Sequence, residues 1–180
     1  MRIQKKESAG LVIDIQERLF PHMVYSELLL ANTVKLLKGL KVLGVPVLLT
    51  EQYPEGLGHT LEEIRPLCGS AEPLTKMAFS CCDEPAFLSA LEHSARRTVI
   101  ICGIEAHVCV LQTVIDLLEN GYVPVVAADC ISSRKPGDRE IAVQRMLTEG
   151  AIITTMESIL FELARISGTD PFRAISRLVK

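Results

Sequence analysis

The stretch Thr98-Val-Ile-Ile-Cys102, followed by Gly-Ile-Glu105-Ala-His-Val-Cys109 and then Val-Leu-Gln-Thr-Val-Ile-Asp-Leu-Leu-Glu-Asn120-Gly121, decides the fold. Its opening run is apolar and β-branched, which reads as a buried strand. Gly103–Ala106 reads as a tight turn and the residues to Asn120 as a helix, with Gly121 where a helix-ending glycine is expected. Val123–Ala128 is again an apolar strand. Strand, helix and strand in this order make a parallel unit with a right-handed crossover.

The same alternation runs outward on both sides. Upstream, Ala9–Ile15 reads as a strand, Val24–Leu43 as a helix with Pro21 suited to its first turn, and Val45–Thr50 as a second strand. Pro54, Gly56, Gly58 and Pro66 mark Glu51–Cys68 as loop. Thr75–Ser80 reads as a short strand and Pro85–Ser94 as a helix. Downstream, Gly137–Glu149 reads as a helix, Ala151–Thr155 as the last strand and Ser158–Ile166 as a helix, with a short one opening at Asp170-Pro171. The expectation is a three-layer α/β/α sandwich with a central, mainly parallel sheet of five or six strands. Residues 1–180 read as a single domain, without repeats or linkers. Nearly half of the chain is apolar (48%) and tryptophan is absent, so the core is aliphatic, as strands covered on both faces require.

Net charge is −3. The pairs Arg96–Arg97 and Arg134–Lys135 are too short for a nucleic-acid stripe and read as solvated loop charges. No apolar run approaches the ~18 residues of a membrane span. The opening segment is charged and has no secretory apolar region, so a cytoplasmic location is expected. The six cysteines, Cys68, Cys81, Cys82, Cys102, Cys109 and Cys130, include no C-x-x-C spacing. Disulfides are not expected, and most of these thiols read as small buried hydrophobes.

In open α/β sheets, ligands bind beyond the carboxyl ends of the strands. Asp14 ends the first predicted strand, Asp129 follows Val123–Ala128, Lys76 lies by the short strand, and Cys109 lies just past Thr98–Cys102. At 100° per residue, Cys109 shares its helix face with Gln112, Thr113, Asp116 and Asn120. The opposite arc is Val108, Val110, Leu111, Val114, Ile115, Leu117 and Leu118. Cys109 is therefore expected on the polar arc, away from the core stripe. A thiolate in a first helical turn is stabilised by the dipole and free N–H groups, which also suit an oxyanion. Asp14 could be the base for such a thiol, or a loop cap; Lys76 could lower the thiol pKa, or be a surface charge. Cys102 and Cys130 read as structural. His107, two residues from Cys109, points elsewhere, and His59 lacks the clustered partners of a metal site. His22 and His93 sit in polar helical settings.

Five segments, in order, resemble the isochorismatase-like cysteine hydrolases. Leu11-Val-Ile-Asp14-Ile-Gln16 resembles their D-x-Q strand end. Thr50-Glu-Gln-Tyr-Pro54 with Gly56-Leu-Gly58 resembles a loop of the isochorismatase-domain subgroup of unassigned substrate. Thr75-Lys76-Met-Ala-Phe79-Ser80 resembles K-x-x-F-S. Cys102-Gly-Ile-Glu105-Ala-His-Val-Cys109-Val110 resembles the nucleophile turn, and Ala128-Asp129-Cys130-Ile-Ser132-Ser133 the downstream D-A-x-x-S. The resemblance spans residues 9 to about 160. It implies Asp14 as base, Lys76 as charge partner and Cys109 as nucleophile. It also implies a cis peptide joining Ile104 to Glu105, whose N–H serves the oxyanion beside that of Cys109. The nicotinamidase metal set is missing from Glu51–Thr60, so no metal and no cofactor are expected. Isochorismatases proper lack the cysteine, so isochorismate cleavage is not implied.

The expected reaction is hydrolysis of a small amide or related C–N bond through a thioester. Gln16, Leu19, Tyr53 and Phe79 are expected to contact the small-molecule substrate. A homo-oligomer is expected, with neither nucleic acid nor membrane as partner. Two other readings remain open: a thiol-reactive redox protein, from vicinal Cys81–Cys82, and an oligomeric binding scaffold without physiological turnover.

Overall fold

A computed structural model describes residues 1–180. Six strands form one sheet: β1 (Ser8–Ile13), β2 (Val47–Gln52), β3 (Leu74–Lys76), β4 (Thr98–Ile104), β5 (Val123–Ser132) and β6 (Ile152–Thr154). Their spatial order is β3-β2-β1-β4-β5-β6, and every neighbouring pair is parallel. The helices are α1 (Ser26–Leu43), α2 (Pro54–Leu57), α3 (Pro85–His93), α4 (Leu111–Glu119), α5 (Pro136–Glu149), α6 (Met156–Ala164) and α7 (Asp170–Val179).

The central strands β1 and β4 are buried on both faces, and their side chains alternate between two cores. Val12, Ile100, Cys102 and Ile104 face a core shared with α1, α6 and α7. Leu11, Ile13, Val99 and Ile101 face a core shared with α3, α4 and α5. The layered architecture is thus the expected one, with six strands.

The chain leaves β1 in one direction to build β2 and β3, then crosses back to build β4 on the other side of β1. The carboxyl ends of β1 and β4 therefore flank the switch point, where such sheets open a crevice. Gly103 makes the two strand ends meet. Its φ is +148°, and a Cβ there would lie 2.4 Å from the Ile13 carbonyl oxygen.

Several element boundaries differ from expectation, each for a local reason. Strand β1 stops at Ile13 because Asp14 turns out with φ 52°. Pro21 belongs to a separate 3₁₀ turn, Phe20–His22, and α1 starts only at Ser26. Strand β2 runs from Val47 to Gln52, two residues further along than read from apolar content. Strand β3 is only Leu74–Lys76, because the chain to Ser80 bends round the Lys76 ammonium. Strand β4 continues through the supposed turn as far as Ile104.

Candidate active site

Asp14 is fully buried at the end of β1. The Thr50 hydroxyl on β2 donates to its Oδ1 at 2.8 Å. The Lys76 ammonium, at the end of β3, lies 2.7 Å from its Oδ2. Lys76 is 2% exposed, so this ion pair is sealed from water. Its Nζ also donates to Gln52 Oε1 at 2.7 Å and to the carbonyls of Phe79 at 3.0 Å and Ala78 at 3.1 Å. This oxygen cage explains how a buried ammonium is tolerated. Burial, the largest influence, would lower the Lys76 pKa, but the Asp14 charge and hydrogen bond together with Cys109 and Cys81 outweigh it and hold it raised. Burial also lifts the Asp14 pKa, against the pull of Lys76 and Thr50 and a weaker hydrogen-bonding pull from the Cys109 thiol.

Cys109 approaches from the other side of the switch point, on a π-helical turn (Ala106–Val110) between β4 and α4. The peptide joining Ile104 to Glu105 is cis. Cys109 is 6% exposed and packs in the core beneath α4, which corrects the expected polar arc. Thr113, placed on the same arc, is fully buried too. The wide π turn advances less per residue than an α-helix, so a uniform 100° step misplaces Cys109 relative to α4. Burial, with the Asp14 charge second, pushes the Cys109 thiol up to about 12; Lys76 opposes this. The expected resting thiolate is therefore replaced by a thiol with a carboxylate at hand.

The four residues expected to contact substrate divide. Gln16 is fully buried, and its amide is committed to backbone: it donates to Gln52 O at 2.9 Å and Gly58 O at 2.7 Å, and accepts from Gln52 N at 2.8 Å. It clamps the β2 end to the following loop and has no donor left for a ligand. Leu19 packs on the α1 side of the sheet, in the layer opposite Cys109. Tyr53 and Phe79 are solvent-facing, at 44% and 54% exposure, and flank the Lys76 cage in sequence. Asp129 lies apart from Asp14 and accepts from the Met156 N–H at 2.8 Å, anchoring the start of α6. His107 meets Ser133 Oγ at 2.9 Å rather than the thiol. The largest clefts lie away from Cys109; one of about 430 Å³ is lined by Gly44, Val47 and Leu67 at the amino end of β2.

The sequence reading did not place Thr50 and Gln52 at the site, and it read Cys81 only as one of a vicinal thiol pair. Alternation along β2 was the available signal, since Thr50 and Gln52 share the face that reaches Asp14 and Lys76 while Glu51 points away. Cys81 is fully buried, with its pKa pushed up to about 12 by burial; that of half-buried Cys82 is likewise about 12. Neither is a ready redox thiol. Glu51 and His59 are the metal-type donors nearby, 3.2 Å apart, and Glu51 Oε1 already accepts from Thr60 N and Oγ1 at 2.7 and 2.8 Å.

Sheet order, switch-point crevice and a buried Asp–Lys pair facing a helix-start cysteine define a doubly wound α/β protein of the isochorismatase-like hydrolase fold. Comparisons with known proteins agree. An isochorismatase domain model matches residues 8–158. Isochorismatase domain-containing protein 2A of Mus musculus is 37% identical, over 99% of this chain and 85% of that protein. A solved Caenorhabditis elegans structure, described as MAR1 ribonuclease, superposes with a TM-score of 0.93 at 37% identity, covering 99% of this chain and 92% of that one. Escherichia coli YcaC, described as an octameric hydrolase of unknown specificity, shares the fold with a TM-score of 0.93 at 23% identity, covering 98% and 88%. The chain belongs to the isochorismatase family and is a hydrolase of that family. No helix is long and apolar enough to cross a membrane.

Proposed function

We propose that this chain is a cysteine-dependent hydrolase of small amides or related C–N bonds, working as one domain without a cofactor. The observation that carries the reading is the sealed Asp14–Lys76 pair, 2.7 Å apart, with Cys109 electrostatically coupled to both. A buried carboxylate with a raised pKa is a stronger base than a solvated one, which suits it to a thiol.

Asp14 takes the Cys109 proton as the sulfur attacks the carbonyl carbon. The carbonyl π electrons move to oxygen, where backbone N–H groups of Glu105 and Cys109 receive the charge. The tetrahedral adduct collapses, the C–N bond breaks, and Asp14 protonates the leaving amine. Water, deprotonated by Asp14, then attacks the thioester and releases the acid and the Cys109 thiol. Lys76 keeps Asp14 ionised between these transfers and fixes its position. Tyr53 and Phe79 are rim residues over the substrate.

The test is ammonia or amine release from a panel of small amides by wild type and Cys109→Ala. Loss of release, with a thioester trapped on Cys109 of wild type at early times, supports the reading; parental release by Cys109→Ala rejects it. RNA belongs in the panel because of the description of the C. elegans relative. The net charge of −3 and the buried thiol favour a small neutral substrate over RNA. Self-association is part of the same reading: Tyr25, Leu28, Ile141 and Leu147 are exposed apolar side chains. Light scattering on the eluting protein should give a mass above 19.8 kDa.

A further inference from the structure

The two oxygens of the Asp14 carboxylate are not equivalent. Oδ1 accepts the Thr50 hydroxyl proton at 2.8 Å. Oδ2 has the Lys76 ammonium 2.7 Å away, but off the line of a well-directed hydrogen bond. Oδ1 is therefore held by a directional bond from a neutral hydroxyl, while Oδ2 is held chiefly by the charge of Lys76. The Thr50 hydroxyl has a single proton and two possible acceptors. Val12 O, at 3.5 Å, is the weaker one. A second thiol acts on the same hydroxyl: Cys81 Sγ donates to Thr50 Oγ1 at 3.9 Å. That fills an acceptor direction on Thr50 and turns its proton toward Asp14. Cys81 is held in place in turn, because its backbone N–H donates to Thr113 Oγ1 at 3.0 Å, four residues after Cys109.

We propose that Thr50, oriented by Cys81, is a positioning residue that fixes the Asp14 carboxylate so that Oδ2 is the oxygen receiving the Cys109 proton. The proposal rests on the reading of Asp14 as the base. The polar and charged groups facing Asp14 are Thr50 from β2, Lys76 from β3, Cys81 from the turn behind β3 and Cys109 from the π turn. Among them Thr50 holds Oδ1 by a short bond in good geometry, while Lys76 acts on Oδ2. Without it, the carboxylate can turn either oxygen to the Lys76 ammonium and loses its aim at the thiol. Hydrogen bonds to charged groups are directional and stronger than neutral ones.

The experiment follows the Asp14 carboxyl by NMR in protein labelled at the aspartate side-chain carbon, with kinetics on the same samples. Thr50→Val is nearly isosteric and removes only the hydroxyl. It should raise the Asp14 titration midpoint, because a donor to the charged form is lost. It should also lower kcat roughly 10- to 100-fold with KM little changed, as loss of one hydrogen bond to a charged group implies. Thr50→Ser should restore both, and Cys81→Ala should move the midpoint the same way by less. An unmoved midpoint in Thr50→Val, or a Thr50→Ser variant as impaired as Thr50→Val, overturns the proposal. Asp14→Asn separates the two levels. If it keeps wild-type turnover, the reading of Asp14 as base is at fault. If it is inactive while Thr50→Val is normal, the role of Thr50 alone is at fault.

Discussion

Asp14 and Lys76 meet at 2.7 Å with their side chains 0% and 1% exposed, so each is the charge that makes the other tolerable in the interior. Their strands are not neighbours: β2 lies between β1 and β3. The pair therefore bridges over β2, and Thr50 and Gln52, facing the same way from β2, each hold one partner.

Lys76→Met keeps much of the side-chain volume but leaves Asp14 buried without a counter-charge. Breaking such a pair costs about 3–5 kcal/mol. Urea unfolding at pH 7 should show that loss, and Asp14→Asn combined with Lys76→Met should recover part of it. An unchanged midpoint in the single variant would mean that the pair is open to water. The pH sign follows from Lys76, whose folded pKa is raised. Its contribution is complete below the unfolded value of 10.5 and disappears only as pH rises through the higher folded value.

Asp14→Asn should separate thiol acidity from turnover. The Asp14 charge is the second contribution, after burial, that pushes Cys109 up to about 12, and Lys76 pulls the other way. Removing the carboxylate charge therefore lowers the thiol pKa, and iodoacetamide labelling of Cys109 should set in at lower pH than in wild type. Hydrolysis should nevertheless be lost with the base. Labelling rates between pH 6 and 11, assigned by peptide mass, test this; a profile displaced to higher pH contradicts the electrostatic account.

How far the sequence carried is clear from particular residues. The β4 run and the alternation of strands and helices were legible because parallel strands covered on both faces are written as continuous apolar stretches. Asp14, Lys76 and Cys109 were legible by position, at the ends of such stretches. The burial of Cys109 was not, because a π turn has no marked composition and breaks the uniform angular step. The backbone clamp made by Gln16 was not legible, because a polar residue at a strand end looks the same in sequence whether it binds a ligand or ties a loop. The contact of Thr50 with Cys81 was not legible, although Cys81 stands out in sequence beside Cys82, because it joins residues 31 positions apart in the chain.

Glu51, which faces away from the site, should set the acid limb of stability. Burial alone would raise its pKa, but the Thr60 N–H, the Thr60 hydroxyl and His59 together hold it below the ordinary glutamate value. A carboxylate with a lowered folded pKa stabilises above its unfolded value of 4.5 and loses that contribution as pH falls through the folded one. Glu51→Gln should lose stability at pH 7 and show a shallower decline between pH 5 and 3. Chemical denaturation across that range is the check, and parallel curves for the two proteins would deny Glu51 this part.

Gly103→Ala tests whether the closeness of β1 and β4 is needed at the switch point. The added Cβ would meet Ile13 at three points: O at 2.4 Å, Cβ at 2.7 Å and Cα at 2.9 Å. Two of these are backbone atoms, so no side-chain rotation relieves the clash, and φ +148° is itself strained for alanine. The strands must part, and Ile13 is the residue before Asp14. The variant should lose about 1–3 kcal/mol or more, in the range of overpacked cores, with turnover reduced beyond what the unfolded fraction explains. Thermal unfolding read beside turnover, both at a temperature where the variant is fully folded, separates the two effects. A stable variant with full turnover would show that the carboxyl ends of β1 and β4 can separate without disturbing Asp14.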